Sequence, residues 1–138
     1  MKKNIMFVDN SENVLESLKL LFKDEPYNSF FFESLGNALS ALETKEFAVV
    51  IVDQVFSEIN GLEFLKIVKM RSPNTMGIVM AALVDSKTAI DAMNCGYVFL
   101  FVKKPLDNTK IKQAVAFAVS SYEIKVESQE LLSKKLQH

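Results

Sequence analysis

Phe47-Ala48-Val49-Val50-Ile51-Val52-Asp53 is a run of six apolar residues closed by an acid. A run this short and this apolar reads as a strand buried on both faces, as in the middle of a parallel sheet. Gly61 follows eight residues after Asp53. Two more runs have the same form: Ile5-Met6-Phe7-Val8 ends in Asp9, and Val98 to Val102 leads to Lys104-Pro105.

Working outward, strand-like and helix-like segments alternate five times. Strands are expected at about 4–8, 29–32, 47–52, 77–81 and 98–102. Ser11 is placed to cap the first helix, which carries Val14, Leu15, Leu18, Leu21 and Phe22 on one face. Gly36-Asn37 opens the second helix, and Leu62, Leu65 and Val68 point inward from the third. Asp85 or Ser86 caps the fourth, where Ala89, Ile90 and Met93 share a face before Gly96 stops it. Asp107 caps the fifth, with Ile111, Ala114, Val115 and Ala118 along it. Phe30-Phe31-Phe32 reads as buried strand, and Cys95 as a small core or helix-end residue. Strict alternation implies an α/β fold, a doubly wound parallel sheet of five strands with helices on both faces.

Residues 1–120 read as one domain, and residues 121–138 change character, being polar and charged without Gly or Pro. Two readings of that segment stand. One extends helix 5 to about residue 135 as a linker or stalk, with a weak heptad spacing that suggests a coiled coil. The other is a frayed polar tail.

With 138 residues, 49% of them hydrophobic, the chain can bury a real core, which excludes a disordered class. The net charge of −1 gives no reason to expect nucleic-acid binding by this segment. The longest apolar runs are too short to span a bilayer, so no membrane role is expected. The apolar stretch behind Met1-Lys2-Lys3 soon meets Asp9 and fails as a signal peptide, so the cytoplasm is the expected location. A single cysteine, Cys95, fits a reducing compartment. The single histidine, His138, is terminal, which removes histidine-based triads and histidine-ligated zinc from the folded body.

Ligands of such sheets sit beyond the carboxyl ends of the strands, at the switch point. Asp9, Asp53 and Lys104 all occupy such ends. Two carboxylates and an ammonium gathered there suit a magnesium ion and a phosphoryl group. Singly, each has a plainer reading. Asp53 could be a turn or cap residue, Asp9-Asn10 a turn, and Lys104 a solvated lysine. A hydrolase that forms a phosphoaspartate would want an acid two residues after Asp53, where Val55 stands.

Together these residues resemble the response-regulator receiver domain of two-component signal transduction, from about residue 3 to 120. The likeness rests on Ile5-Met6-Phe7-Val8-Asp9, on Val52-Asp53 with Gly61, and on Lys104-Pro105. Asn13-Val14-Leu15-Glu16-Ser17-Leu18, Gly61-Leu62-Glu63-Phe64-Leu65 and Ala89-Ile90 with Gly96 are similar to one branch. Its receivers are often fused to cyclic-di-GMP enzymes, phosphatases or transcriptional activators.

The resemblance implies the flavodoxin-like strand order 2-1-3-4-5. It implies phosphoryl transfer from a histidine kinase or phosphotransfer protein onto Asp53, with Mg2+ as cofactor and no separate enzyme activity. Asp53 would be phosphoacceptor and metal ligand. Asp9, Asn10 and the Val55 backbone carbonyl would complete the protein's metal ligands. Gln54, Ala82 and Lys104 would contact the phosphoryl group, and the Lys104–Pro105 peptide would be cis. Output would leave through helix 4, strand 5 and helix 5, the same face offering a homodimer contact. An output domain would belong to a longer chain.

Four positions depart from that pattern. Asn10 stands where the family has a second acid. The lost charge is worth roughly 4 kcal/mol of Coulomb attraction at ~4 Å and an effective dielectric of ~20, before solvation offsets it, so magnesium affinity should fall. The switch hydroxyl position is Ala81, which has nothing to donate. The switch aromatic is Phe101, without a hydroxyl, and Ser57 replaces the usual proline. Val55 and Leu83, each two residues beyond a site position, are apolar and cannot orient an attacking water, so autodephosphorylation should be slow. These departures keep an alternative open, a pseudo-receiver that acts as a phosphorylation-independent interaction module.

Overall fold

The computed structural model describes residues 2–137. Met1 and His138, and with them the outer bounds expected for the two segments and the reading of the single histidine, lie outside the described residues. Five strands, β1 (Lys3–Val8), β2 (Tyr27–Phe32), β3 (Val49–Asp53), β4 (Met76–Ala81) and β5 (Leu100–Lys103), alternate with five helices. The helices are α1 (Glu12–Phe22), α2 (Leu35–Thr44), α3 (Gly61–Arg71), α4 (Ser86–Asn94) and α5 (Asn108–Leu136). All strand pairs are parallel and the order is β2-β1-β3-β4-β5, so the doubly wound, flavodoxin-like sheet stands as expected.

Successive strand residues face opposite sides of a sheet, so each apolar strand feeds two cores. Ile5, Phe7, Ile51, Ile78 and Met80 pack with α1 and α5 on one side. Met6, Val8, Val50, Val52 and Val79 pack with α2, α3 and α4 on the other. Every residue of β3 is buried, which is what an unbroken apolar run in the central strand requires. The three phenylalanines of β2 are only half-buried, because β2 is an edge strand. Phe31 stacks on Phe7 at 5.1 Å and Phe30 meets Phe47 edge-on at 5.5 Å, one on each face.

The caps account for most helix starts. The Ser11 hydroxyl accepts from the Val14 N–H and the Asp85 carboxylate from the Thr88 N–H. Asp107 accepts from two amides, those of Thr109 and Lys110. The second helix opens earlier than Gly36-Asn37 suggests: Ser34 caps it by accepting the Asn37 N–H, and Leu35 is buried. In α4 the face expected from Ala89, Ile90 and Met93 is not the packed one. Ala92 is the buried residue there, while Ile90 and Met93 stay 57% and 45% exposed. Gly96, at φ +82°, ends α4 in the left-handed conformation that glycine tolerates, and Cys95 is an exposed helix-end residue.

The residues beyond 120 are helical: α5 runs unbroken for 29 residues, about 43 Å at 1.5 Å per residue. Its contacts with the body also continue past 120, since Tyr122 is buried and Val126 packs on the core. Packing on the body thus continues along α5 as far as Val126.

Candidate functional site

The strand order changes direction at β1, which lies between β2 and β3. Val8 pairs with Val52, so the residues that follow, Asp9 and Asp53, leave the sheet side by side. Asp53 is still in register with Met80 at the last rung of β3. Lys104 comes from just beyond β5, where its N–H donates to the Ala81 carbonyl at 2.9 Å.

These three side chains converge. The Lys104 ammonium donates to Asp9 Oδ2 at 2.7 Å and lies 3.1 Å from Asp53 Oδ1. Asp9 is fully buried and Asp53 nearly so, whereas Lys104 is partly open to solvent. The other Asp9 oxygen, Oδ1, accepts the Ser11 N–H at 2.8 Å. Ser11 thus both caps α1 and aims Asp9. Burial by itself would lower the Lys104 pKa. Its hydrogen bonds to Asp9 and Asp53, and their charges, outweigh burial and hold it above the ordinary lysine value. The ammonium is therefore charged at neutral pH.

Gly61 has a steric reason to be glycine. Its N–H donates to the Gln54 carbonyl at 2.8 Å, and a Cβ built on it would strike the Asp53 carbonyl oxygen. The start of α3 is thereby pressed against the backbone that carries Asp53. The spacing from Asp53 marks Gly61, but only the close approach explains it.

Other expected residues are placed less centrally. Asn10 is exposed in the bend after Asp9. The Gln54 N–H is engaged by the Met80 carbonyl at 2.9 Å. A phosphoryl contact from Gln54 would therefore have to come from its side-chain amide. Ala82 is exposed just past β4. Ala81 is buried, and with Phe101, Leu83 and Val84 it lines an apolar cleft of about 300 Å³ beside the site. Val55 and Leu83 rise around the rim at 69% and 88% exposure. On the other side a cleft of about 310 Å³ opens between α1 and the Lys104-Pro105 turn, lined by Val14, Leu18 and Leu21 among others. The Lys104–Pro105 peptide is cis.

The donor set is hard oxygen, which suits magnesium: two convergent carboxylates, with the Asn10 amide and the Val55 carbonyl nearby in sequence. No group of three or more acidic, histidine or cysteine side chains gathers among the described residues. The fit is therefore to an ion held by two carboxylates, with neutral oxygens supplying the rest.

Comparison with known proteins bears on the family and the fold. A family model described as response regulator receiver domain matches residues 5–116. A putative NtrX-like response regulator of Rickettsia conorii is 29% identical over 133 residues, covering 95% of this chain and 28% of that protein. This chain thus spans 28% of the length of that curated relative. Among solved structures, one titled adenylate cyclase from Rhodopirellula baltica superposes with a TM-score of 0.91 at 28% identity, covering 97% of this chain and 99% of that one. The signal receiver domain of an HD domain-containing protein from Pseudomonas fluorescens gives 0.83 at 25% identity, covering 91% and 93%.

Proposed function

The chain belongs to the response regulator receiver domain family of two-component systems, and we propose that it accepts a phosphoryl group onto Asp53 from a histidine kinase or phosphotransfer protein. The observation that carries this reading is the Lys104 ammonium drawn between Asp9 and Asp53 at 2.7 and 3.1 Å. An Asp53 oxygen would attack phosphorus while the bond from phosphorus to the donor's imidazole nitrogen breaks. Lys104 would leave Asp53 and pair with the arriving phosphoryl oxygens. Ser11 keeps Asp9 fixed meanwhile. Mg2+, held by Asp9, Asp53, Asn10 and the Val55 carbonyl, would neutralise charge on the transferred group. Positioning and charge neutralisation of this kind supply most of phosphoryl-transfer catalysis.

The apolar rim of Val55 and Leu83 offers no side chain to orient a hydrolytic water, which supports a long-lived phosphoaspartate. The clefts beside Lys104 and Ala81 flank the acceptor where a donor protein would have to approach. The length of the Rickettsia relative supports an output domain in a longer chain. The exposed Ile90, Met93 and Phe117 support a homodimer or output contact through α4, β5 and α5. No helix of the described residues is long and apolar enough to cross a membrane.

Ala81 favours the second reading, a pseudo-receiver, because it has no side-chain hydroxyl to bond the phosphoryl group and carry its arrival to α4. Melting with magnesium and beryllofluoride separates the two. A phosphoryl mimic that binds the native state must stabilise it, by about 2.7 kcal/mol at a hundred times its dissociation constant. Acceptor chemistry gives a melting temperature several degrees higher, lost in Asp53→Asn. Superimposable melts at saturating magnesium and beryllofluoride would favour the pseudo-receiver.

A further inference from the structure

We propose that the second half of α5 is a clamped lever, its direction set by the α2–β3 and α3–β4 loops at the amino ends of the strands and not by the acceptor site. Three consecutive turns of one helix face are tied down there. The Tyr122 hydroxyl donates to Glu46 Oε2 at 2.9 Å. One turn on, the Lys125 ammonium donates to the Pro73 carbonyl at 2.7 Å, and Val126 packs against the core. One further turn on, Gln129 and Asn74 exchange a reciprocal pair of amide hydrogen bonds, both 3.0 Å. The spacing 122, 125, 126, 129 is that of one helix face. Beyond it the chain's apolar residues lose their support: Leu131, Leu132 and Leu136 are all exposed.

The clamp is built to open without unfolding the domain. The Lys125 and Gln129 contacts are solvent-exposed hydrogen bonds, which water can replace at small net cost. The Pro73 carbonyl is moreover shared, since the Lys69 ammonium also donates to it at 3.0 Å. Two cations on one oxygen repel. Burial first, and then the Lys69 charge, hold the Lys125 pKa below its ordinary value. Upstream, by contrast, Ile111, Val115 and Ala118 are fully buried and fix the first half of α5 to the sheet. A boundary between a rigid and a releasable half therefore lies near Tyr122. Glu46, Pro73 and Asn74 contribute nothing to the cluster of Asp9, Asp53 and Lys104, so the lever stands whether or not Asp53 accepts phosphate.

Hydrogen exchange on the full chain tests this with Glu46→Ala combined with Asn74→Ala. Both changes lie off α5 and leave its own helix propensity untouched. The expected result is amide exchange across 123–130 faster by roughly fivefold or more, with residues 111–119 and the β3 amides around Asp53 at wild-type rates. Unchanged exchange across 123–130 would overturn the clamp. Acceleration spread evenly over the sheet and α5 would overturn the boundary at Tyr122. Altered β3 rates alone would overturn the independence from the acceptor site.

Discussion

At Asp9 both carboxylate oxygens are already engaged, one by the Ser11 N–H and the other by the Lys104 ammonium. A cation entering the site must therefore draw Asp9 away from Lys104, or share it, with one acid fewer than the family pattern supplies. Asn10→Asp restores that charge in an exposed position. Solvation cancels most of the Coulomb gain, so magnesium affinity should rise by roughly tenfold, about 1.4 kcal/mol, on titration followed by melting temperature. An unchanged dissociation constant would mean that residue 10 lies outside the ion's reach. At this scale the sequence was most legible. Asp9, Asp53 and Lys104 each follow an apolar run, so topology alone carried them to one edge. The commitment of the Gln54 N–H to Met80 was not legible, because it depends on which backbone donors the sheet consumes.

Gly61 acts between elements, where the first turn of α3 presses on the backbone of β3. Gly61→Ala puts a methyl group into the Asp53 carbonyl, and backbone cannot yield as a flexible side chain can. The variant should lose about 2 kcal/mol or more in denaturant melts, as overpacking does. Stability within about 0.5 kcal/mol of wild type would show that α3 moves aside freely. The elements misread from the sequence share a cause. In α2 the pair Gly36-Asn37 masked Ser34, which makes the capping bond. In the nine residues of α4 the largest apolar side chains suggest the buried face. However, the helix packs on small Ala92 and leaves Ile90 and Met93 to solvent. Periodicity over so few residues cannot say which stripe meets the sheet.

Over the whole molecule, α5 links the two ends of the sheet, beginning beside the acceptor edge at Asp107 and passing the opposite edge at Tyr122. Burial, and then the bond to Glu46, push the Tyr122 phenol up to about 12 from its ordinary 10.0. A group whose folded pKa is raised contributes stability that is complete below its unfolded value and lost as pH climbs through the folded one. The Tyr122 contribution is thus intact below pH 10.0 and gone above about 12. Tyr122→Phe should be less stable than wild type by about 1 kcal/mol at pH 8, and the gap should close as the pH approaches 12. A constant gap across that range would show that the phenol proton is not linked to folding. The polar segment that makes these contacts carries only a weak heptad pattern. Its helix was therefore readable only as one of two alternatives, and its attachment to the α2–β3 and α3–β4 loops not at all.

The acceptor role of Asp53 is tested most directly by intact mass after incubation with magnesium and acetyl phosphate, beside Asp53→Asn. One added phosphoryl group on the wild type, absent from the variant, is the expected result. A folded wild-type protein that gains no phosphoryl group at any magnesium concentration would contradict it.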